Sequence, residues 1–103
     1  MADSYKIGQE PAADGSATLL HLSGELDITV GDDLHAAIQG ALARGDLVVD
    51  LAGVTFIDSE ALGVLIQGYN SARTRPAGFR VVNARGLVAR VLAVSGARDL
   101  FGA

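Results

Sequence analysis

The chain has 103 residues, half of them hydrophobic, with a formal net charge of −4 and no cysteine. These figures exclude a disordered chain and any disulfide scaffold or thiolate metal site. The length fits one domain, residues 1–103, around a single core. Eight Lys and Arg residues are dispersed, with Arg73, Arg75, Arg80, Arg85 and Arg90 in loose array; a nucleic-acid binder concentrates them into a stripe. No apolar run reaches the roughly 18–20 residues that span a bilayer. The start, MADSYKIGQE, lacks the basic and apolar regions of a secretory signal. The expectation is a cytoplasmic protein with no direct nucleic-acid contact and no membrane span.

In chain order, Ser4 to Gln9 reads as a short edge strand. Residues 11–16, with Asp14-Gly15, carry turn chemistry. Ala17 to Ser23 alternates as a strand, with Leu20 and Leu22 on one face and Leu19 and His21 on the other. The pair reads as a hairpin. Gly24-Glu25-Leu26-Asp27 reads as a loop. Thr29 or Asp32 would cap a helix running to about Ala43, with Val30, Leu34, Ile38, Ala41 and Leu42 as its buried stripe and Gly45 as its stop.

Leu47 to Leu51 is a nearly continuous apolar run, as expected of a central strand covered on both faces. Residues 52–58 then read as a lead into a second helix, about Glu60 to Arg73, with Leu62, Leu65, Ile66, Tyr69 and Ala72 on its apolar face. Phe79 to Val82 reads as a strand. Leu87 to Val94 reads as a third helix stopped by Gly96, with Leu87, Val88, Val91 and Leu92 apolar. Arg98 to Phe101 reads as a last edge strand. The class is α/β: a mixed sheet of four or five strands with helices packed on it. Val48, Leu51, Leu65, Ile66 and Val91 are expected in the core.

The most informative residue is Ser59, at a loop-to-helix junction between Asp58 and Glu60. A helix start carries unpaired N–H groups and a positive dipole end. Ser59 is therefore either a plain helix cap or a phosphorylation switch. Asp58 is an equally good cap and would leave Ser59 exposed. A phosphate adds about −1.5 to −2 charge, next to two carboxylates.

Other chemistries lack their residues. IDSEA is not a nucleophile elbow, and the only histidines, His21 and His35, fall in a strand and a helix. Asp27, Asp32 and Asp33 lack the calcium-loop pattern, and neither glycine-rich phosphate loop occurs. No metal or cofactor is expected, and the chain is not read as an enzyme. Gly63, inside the second helix, is costlier than Ala by about 1 kcal/mol; it either lets another surface approach or is simply tolerated.

With these residues in place, the chain resembles the anti-sigma factor antagonists of the STAS domain family from about Thr18 to Phe101. The carriers are Gly24-Glu25-Leu26-Asp27, Val49-Asp50-Leu51, Val54-Thr55-Phe56-Ile57-Asp58-Ser59, Leu62-Gly63-Val64-Leu65, Asn83 and Ser95-Gly96. The resemblance implies a STAS-type α/β domain with helices on one side of a four- or five-stranded sheet. It also implies a partner-switching cycle. The unmodified antagonist binds an anti-sigma factor that is a serine kinase and frees a sigma factor. The kinase phosphorylates Ser59, the complex falls apart, and a serine phosphatase resets it.

Partner contacts are then expected at Asp27, Asp58, Ser59, Glu60, Gly63 and Gln67. Glu60 and Ala61 replace the small hydroxyl residue and glycine that many relatives carry after the phosphoserine. The chain also stops at Ala103, short of the family's full last strand and terminal helix. Two further readings stand beside it: a regulatory subunit of a lipid transporter or signalling scaffold that uses the same surface, and a sensor whose loop pocket binds a small anion.

Overall fold

The computed structural model describes residues 5–102. Its elements are β1 (Tyr5–Pro11), β2 (Ala17–Leu26), a single 3-10 turn (Ile28–Val30), α1 (Gly31–Arg44), β3 (Asp46–Ile57), α2 (Ser59–Arg73), β4 (Phe79–Val82), α3 (Gly86–Ser95) and α4 (Ala97–Phe101). Ser4, expected to open the first strand, lies outside the described residues.

The four strands form one mixed sheet in the order β1-β2-β3-β4. β1 and β2 are the antiparallel hairpin read from the turn residues, while β2–β3 and β3–β4 run parallel. Each parallel pair is joined through a helix, because parallel neighbours need a crossover.

Alternation along the strands decides which face is covered. Leu20, Leu22, Leu47, Val49, Leu51, Phe79 and Val81 are buried. Leu19, His21, Val48, Asp50 and Val82, on the other face, are only half-buried. All four helices contact the sheet or one another on the first face. The expectation of a β3 covered on both faces is therefore corrected: Val48 and Asp50 point to the open side. Of the residues expected in the core, Leu51 and Leu65 are fully buried, but Val48, Ile66 and Val91 are half-buried.

The α1 stripe holds as read: Val30, Leu34, Ile38, Ala41 and Leu42 are all buried. Three local readings change. Gly24 to Leu26 extends β2 rather than forming a loop. The register shifts twice here, between His21 and Ser23 and between Gly24 and Glu25, and Gly24 takes φ +86° at the irregularity, a conformation Gly adopts without strain. Residues 52–57 extend β3, so the parallel pair runs on to Leu26 opposite Ile57. Neither Thr29 nor Asp32 caps α1. Asp27 caps the preceding 3-10 turn, and α1 follows it directly without a side-chain cap.

A further correction is at the C-terminal end, where Arg98 to Phe101 is helix, not strand. Ala97 and Phe101 are buried while the three residues between them are exposed. That is a one-turn spacing, and strand alternation would have put Asp99 on the core face as well. Phe101 packs at 5.8 Å from the Phe79 ring and 6.1 Å from Tyr69, so α4 is held by an aromatic cluster over β4.

Candidate functional site

The carboxyl ends of β2 and β3 lie side by side, and this places the sequence-derived residues. Leu26 and Ile57 are register partners, so Asp27 and Asp58 each leave the sheet at the same edge. The Asp58 N–H donates to the Leu26 carbonyl at 3.0 Å and ties the two exits together. Each aspartate then caps the helical turn that follows it. Asp27 Oδ1 accepts from the Thr29 N–H at 2.9 Å and from the Thr29 hydroxyl. The Thr29 hydroxyl, and after it the Thr29 N–H, holds the Asp27 carboxyl below the usual carboxylate range. Asp58 Oδ1 accepts from the Ala61 N–H at 2.8 Å.

Asp58 thus does the capping of α2 and Ser59 does not. Ser59 sits in the first turn, exposed, and among the described residues its hydroxyl has no hydrogen-bond partner. Asp58 is half-buried behind it, and Glu60 is exposed beside it. Gly63 and Gln67 follow at one-turn intervals from Ser59. Gly63 is half-buried, and a Cβ added there would meet nothing within 4 Å, so it presents open backbone to the surface.

α2 separates two grooves. On one side, Glu60, Val64 and Gln67 face Ile28, Asp32 and His35 across a cavity of about 340 Å³. Two carboxylates and no Lys or Arg line it. On the other side, Ser59 and Leu62 face Leu87, Arg90, Val91 and Val94 of α3 across an apolar cavity of about 390 Å³. Ser59 stands at the end of the apolar groove, and Glu60 at the end of the acidic one. Of the expected contacts, Ser59, Glu60, Gly63 and Gln67 share one helix surface. Asp27 is a neighbour by way of the strand ends; Asp33 accepts from the Tyr5 hydroxyl, and Asp32 faces the acidic groove.

The α3 residues were missed as surface. Val91 reads as a core position yet is half-buried, Leu87, read only as apolar, is 55% exposed and Val94 82%, and only Val88 and Leu92 of this helix are buried. The signal was present: GLVARVLAVS is too apolar around its circumference for a helix packed on one side only. Ile28, 68% exposed, and Phe56, 40% exposed, add apolar surface at the same end of the sheet.

Comparison with known proteins agrees with this arrangement. Residues 10–102 match the family described as Mlab, STAS domain. A STAS-domain containing protein of Pseudomonas aeruginosa is 32% identical over 92 residues, covering 88% of this chain and 91% of its own length. A Mycobacterium tuberculosis protein named as an anti-anti-sigma factor is 32% identical over 89 residues, or 80% of this chain and 58% of that protein. Among solved structures, an anti-sigma factor antagonist from Mycobacterium paratuberculosis superposes with a TM-score of 0.83 at 30% identity, over 95% of this chain and 83% of that one. The unphosphorylated antagonist SpoIIAA shares the fold, with a TM-score of 0.75 at 19% identity over 88% and 81% of the two chains. With its four-stranded mixed sheet, its one-sided helices and the paired aspartates at the strand ends, the chain belongs to the STAS domain family.

Proposed function

We propose that the chain is a cytoplasmic anti-sigma factor antagonist controlled by phosphorylation of Ser59. In this reading it binds an anti-sigma factor serine kinase while Ser59 is unmodified and releases it once Ser59 carries phosphate; a serine phosphatase restores the binding form. One observation carries the reading: Asp58, not Ser59, caps α2. The Ser59 hydroxyl is left exposed at the rim of an apolar groove.

The physics of a switch follows from that position. The unmodified groove offers Leu62, Leu87, Val91 and Val94 to an apolar partner segment. A phosphate at its rim adds about −1.5 to −2 charge between Asp58 and Glu60. The complex would then have to desolvate that charge against apolar surface, which is costly without a paired cation. The α2 N-terminus tolerates the phosphate in the free protein through its dipole. Free and bound states are therefore affected unequally, as a release mechanism requires.

The test is incubation with candidate anti-sigma kinases and ATP, with the phosphate mapped by mass spectrometry. Ser59→Ala is expected to bind the kinase and incorporate no phosphate. Ser59→Asp is expected to bind more weakly than wild type, though better than the phosphoprotein, because one carboxylate carries less charge and fewer acceptors. Stoichiometric phosphorylation of Ser59→Ala would remove Ser59 from this role.

A further inference from the structure

The outer edge of β4 carries a feature that partner switching does not use. Among the described residues β4 pairs only with β3, and no strand there covers its other edge. α3 and α4 pass beside that edge and leave a cavity of about 260 Å³. Its walls are apolar, built from Val82, Ala84, Ala89 and Leu92, and two cations border it, Arg80 and Arg98. Arg80 lies between the core residues Phe79 and Val81 in β4 and so belongs to the open face of the sheet. Arg98 comes from α4, on the helical side. Both arginines line the same cavity, one from the strand and one from the helix.

No carboxylate lines this cavity, and among the described residues neither arginine has an ion-pair or hydrogen-bond partner. Among the described residues no Lys or Arg forms an ion pair, so what distinguishes Arg80 and Arg98 is that both border one apolar cavity.

We propose that this cavity binds a small amphiphilic anion, an oxyanion head on an apolar body of several carbons. The guanidinium groups supply a planar, multi-donor fork that matches carboxylate or phosphate oxygens. The edge of β4 away from β3 offers backbone N–H groups that no strand among the described residues satisfies. The Val82, Ala84, Ala89 and Leu92 wall takes the body. At about 30 Å³ per water-sized unit, the volume admits roughly nine such units, which fits a six-carbon chain and its head. The site stands on the far side of α3 from Ser59 and shares no lining residue with the Ser59 groove.

The experiment is a titration of isotope-labelled full-length protein with hexanoate, hexyl phosphate and hexanol, read by amide chemical shifts. Hexanoate or hexyl phosphate is expected to perturb residues 80–84, 89, 92 and 98 with a dissociation constant on the order of 1 mM, as suits so small a ligand. Hexanol should bind at least tenfold more weakly. Arg80→Ala and Arg98→Ala should each weaken anion binding about tenfold, the scale of one charge-assisted contact. Both arginines are exposed, so an unchanged melting temperature confirms that the variants fold. The site is overturned by equal binding of hexanol, by shifts centred on the Ser59 groove, by wild-type affinity in both variants, or by no shift at 20-fold the expected constant. None of these outcomes bears on Ser59 phosphorylation.

Discussion

His21 and Asp50 are joined across the β2–β3 ladder on the open face of the sheet, with His21 Nδ1 3.0 Å from Asp50 Oδ2. The other ring nitrogen of His21 lies 2.7 Å from Glu10 Oε1 on β1. Asp50 Oδ1 accepts from the Ala52 N–H and from Asn83 Nδ2, at 2.9 and 3.1 Å. A single polar chain thus crosses all three strand pairings, from the edge strand β1 to the turn after β4. Asn83 holds φ +63° in that turn, a conformation Asn tolerates better than most residues.

Because both ring nitrogens of His21 face carboxylates, the protonated imidazole satisfies both and the neutral one satisfies a single partner. The Glu10 hydrogen bond first, then that of Asp50, raises the His21 pKa above 6.5. Burial pushes the Asp50 carboxyl up, but the Ala52 N–H, Asn83 and His21 together bring it below 3.8. A raised histidine contributes stability that is complete below its unfolded value and is lost as pH rises through the folded one. Urea midpoints of wild type and His21→Gln should therefore differ most near pH 5–6 and converge as pH climbs above 6.5. On the acid side the Asp50 contribution is lost as pH falls below 3.8. A gap that widens toward pH 9 would contradict the geometry.

Asp58 has two separable properties, a cap and a charge. Asp58→Ala removes the acceptor of the Ala61 N–H and should cost about 1 kcal/mol. Asp58→Asn keeps an acceptor and loses the charge beside Ser59, and should cost only a few tenths. If the cap is what frees Ser59, the Asn variant should be phosphorylated at a rate near wild type. Circular dichroism melts and kinase assays on the two variants separate the roles.

Two glycines of α2 predict opposite outcomes. A Cβ at Gly68 would stand 2.8 Å from Ile38 Cγ2 and 2.9 Å from Phe79 Cε2, where α1 and β4 press on the helix. Gly68→Ala should destabilise by about 1–3 kcal/mol through overpacking. At Gly63 nothing lies within 4 Å, and Gly63→Ala should stabilise by up to about 1 kcal/mol through helix propensity. If Gly63 serves partner approach, the same variant should bind the anti-sigma kinase more weakly while melting higher. Unchanged binding would make Gly63 a tolerated residue.

Periodicity reached the parts of the fold where burial follows a simple rule. The α1 stripe and the β2 alternation are one-face patterns, and both hold. It failed where a single residue type carries two meanings. Gly24 reads as a loop but is a bulge in a continuing strand, because the distant parallel partner β3 pairs with Glu25 and Leu26. Arg98 to Phe101 reads as a strand from composition, whereas the aromatic cluster with Tyr69 and Phe79 selects a helical turn. Ser59, Asp58 and Glu60 were legible because a cap is a local device. The Leu87 and Val94 side of α3 was not, since whether an apolar residue is core or surface depends on how the helix is rotated against a sheet far away in sequence.

Glu60 tests how the acidic groove is used. It lies one residue from Ser59 and lines that groove with Asp32, His35 and Gln67. In the first turn of α2 its charge favours the helix by about 0.3–1 kcal/mol, so Glu60→Ser should lower the melting temperature slightly. The larger question is binding. Two carboxylates in one groove with no Lys or Arg call for a cation on the partner, and such rim pairs act mainly on association rate and specificity. Glu60→Ser should then weaken binding to the proposed anti-sigma kinase about two- to fivefold at 50 mM salt, chiefly through slower association. At 0.5 M salt the difference should fade, because exposed charges are screened within a few ångströms. Asp32→Asn should behave alike, as it faces the same groove without touching α2 capping. Surface plasmon resonance at the two ionic strengths measures both rates. If Glu60→Ser binds more tightly at both, Glu60 acts instead as a standing fraction of the phosphate charge. The unmodified protein would then already be displaced toward release.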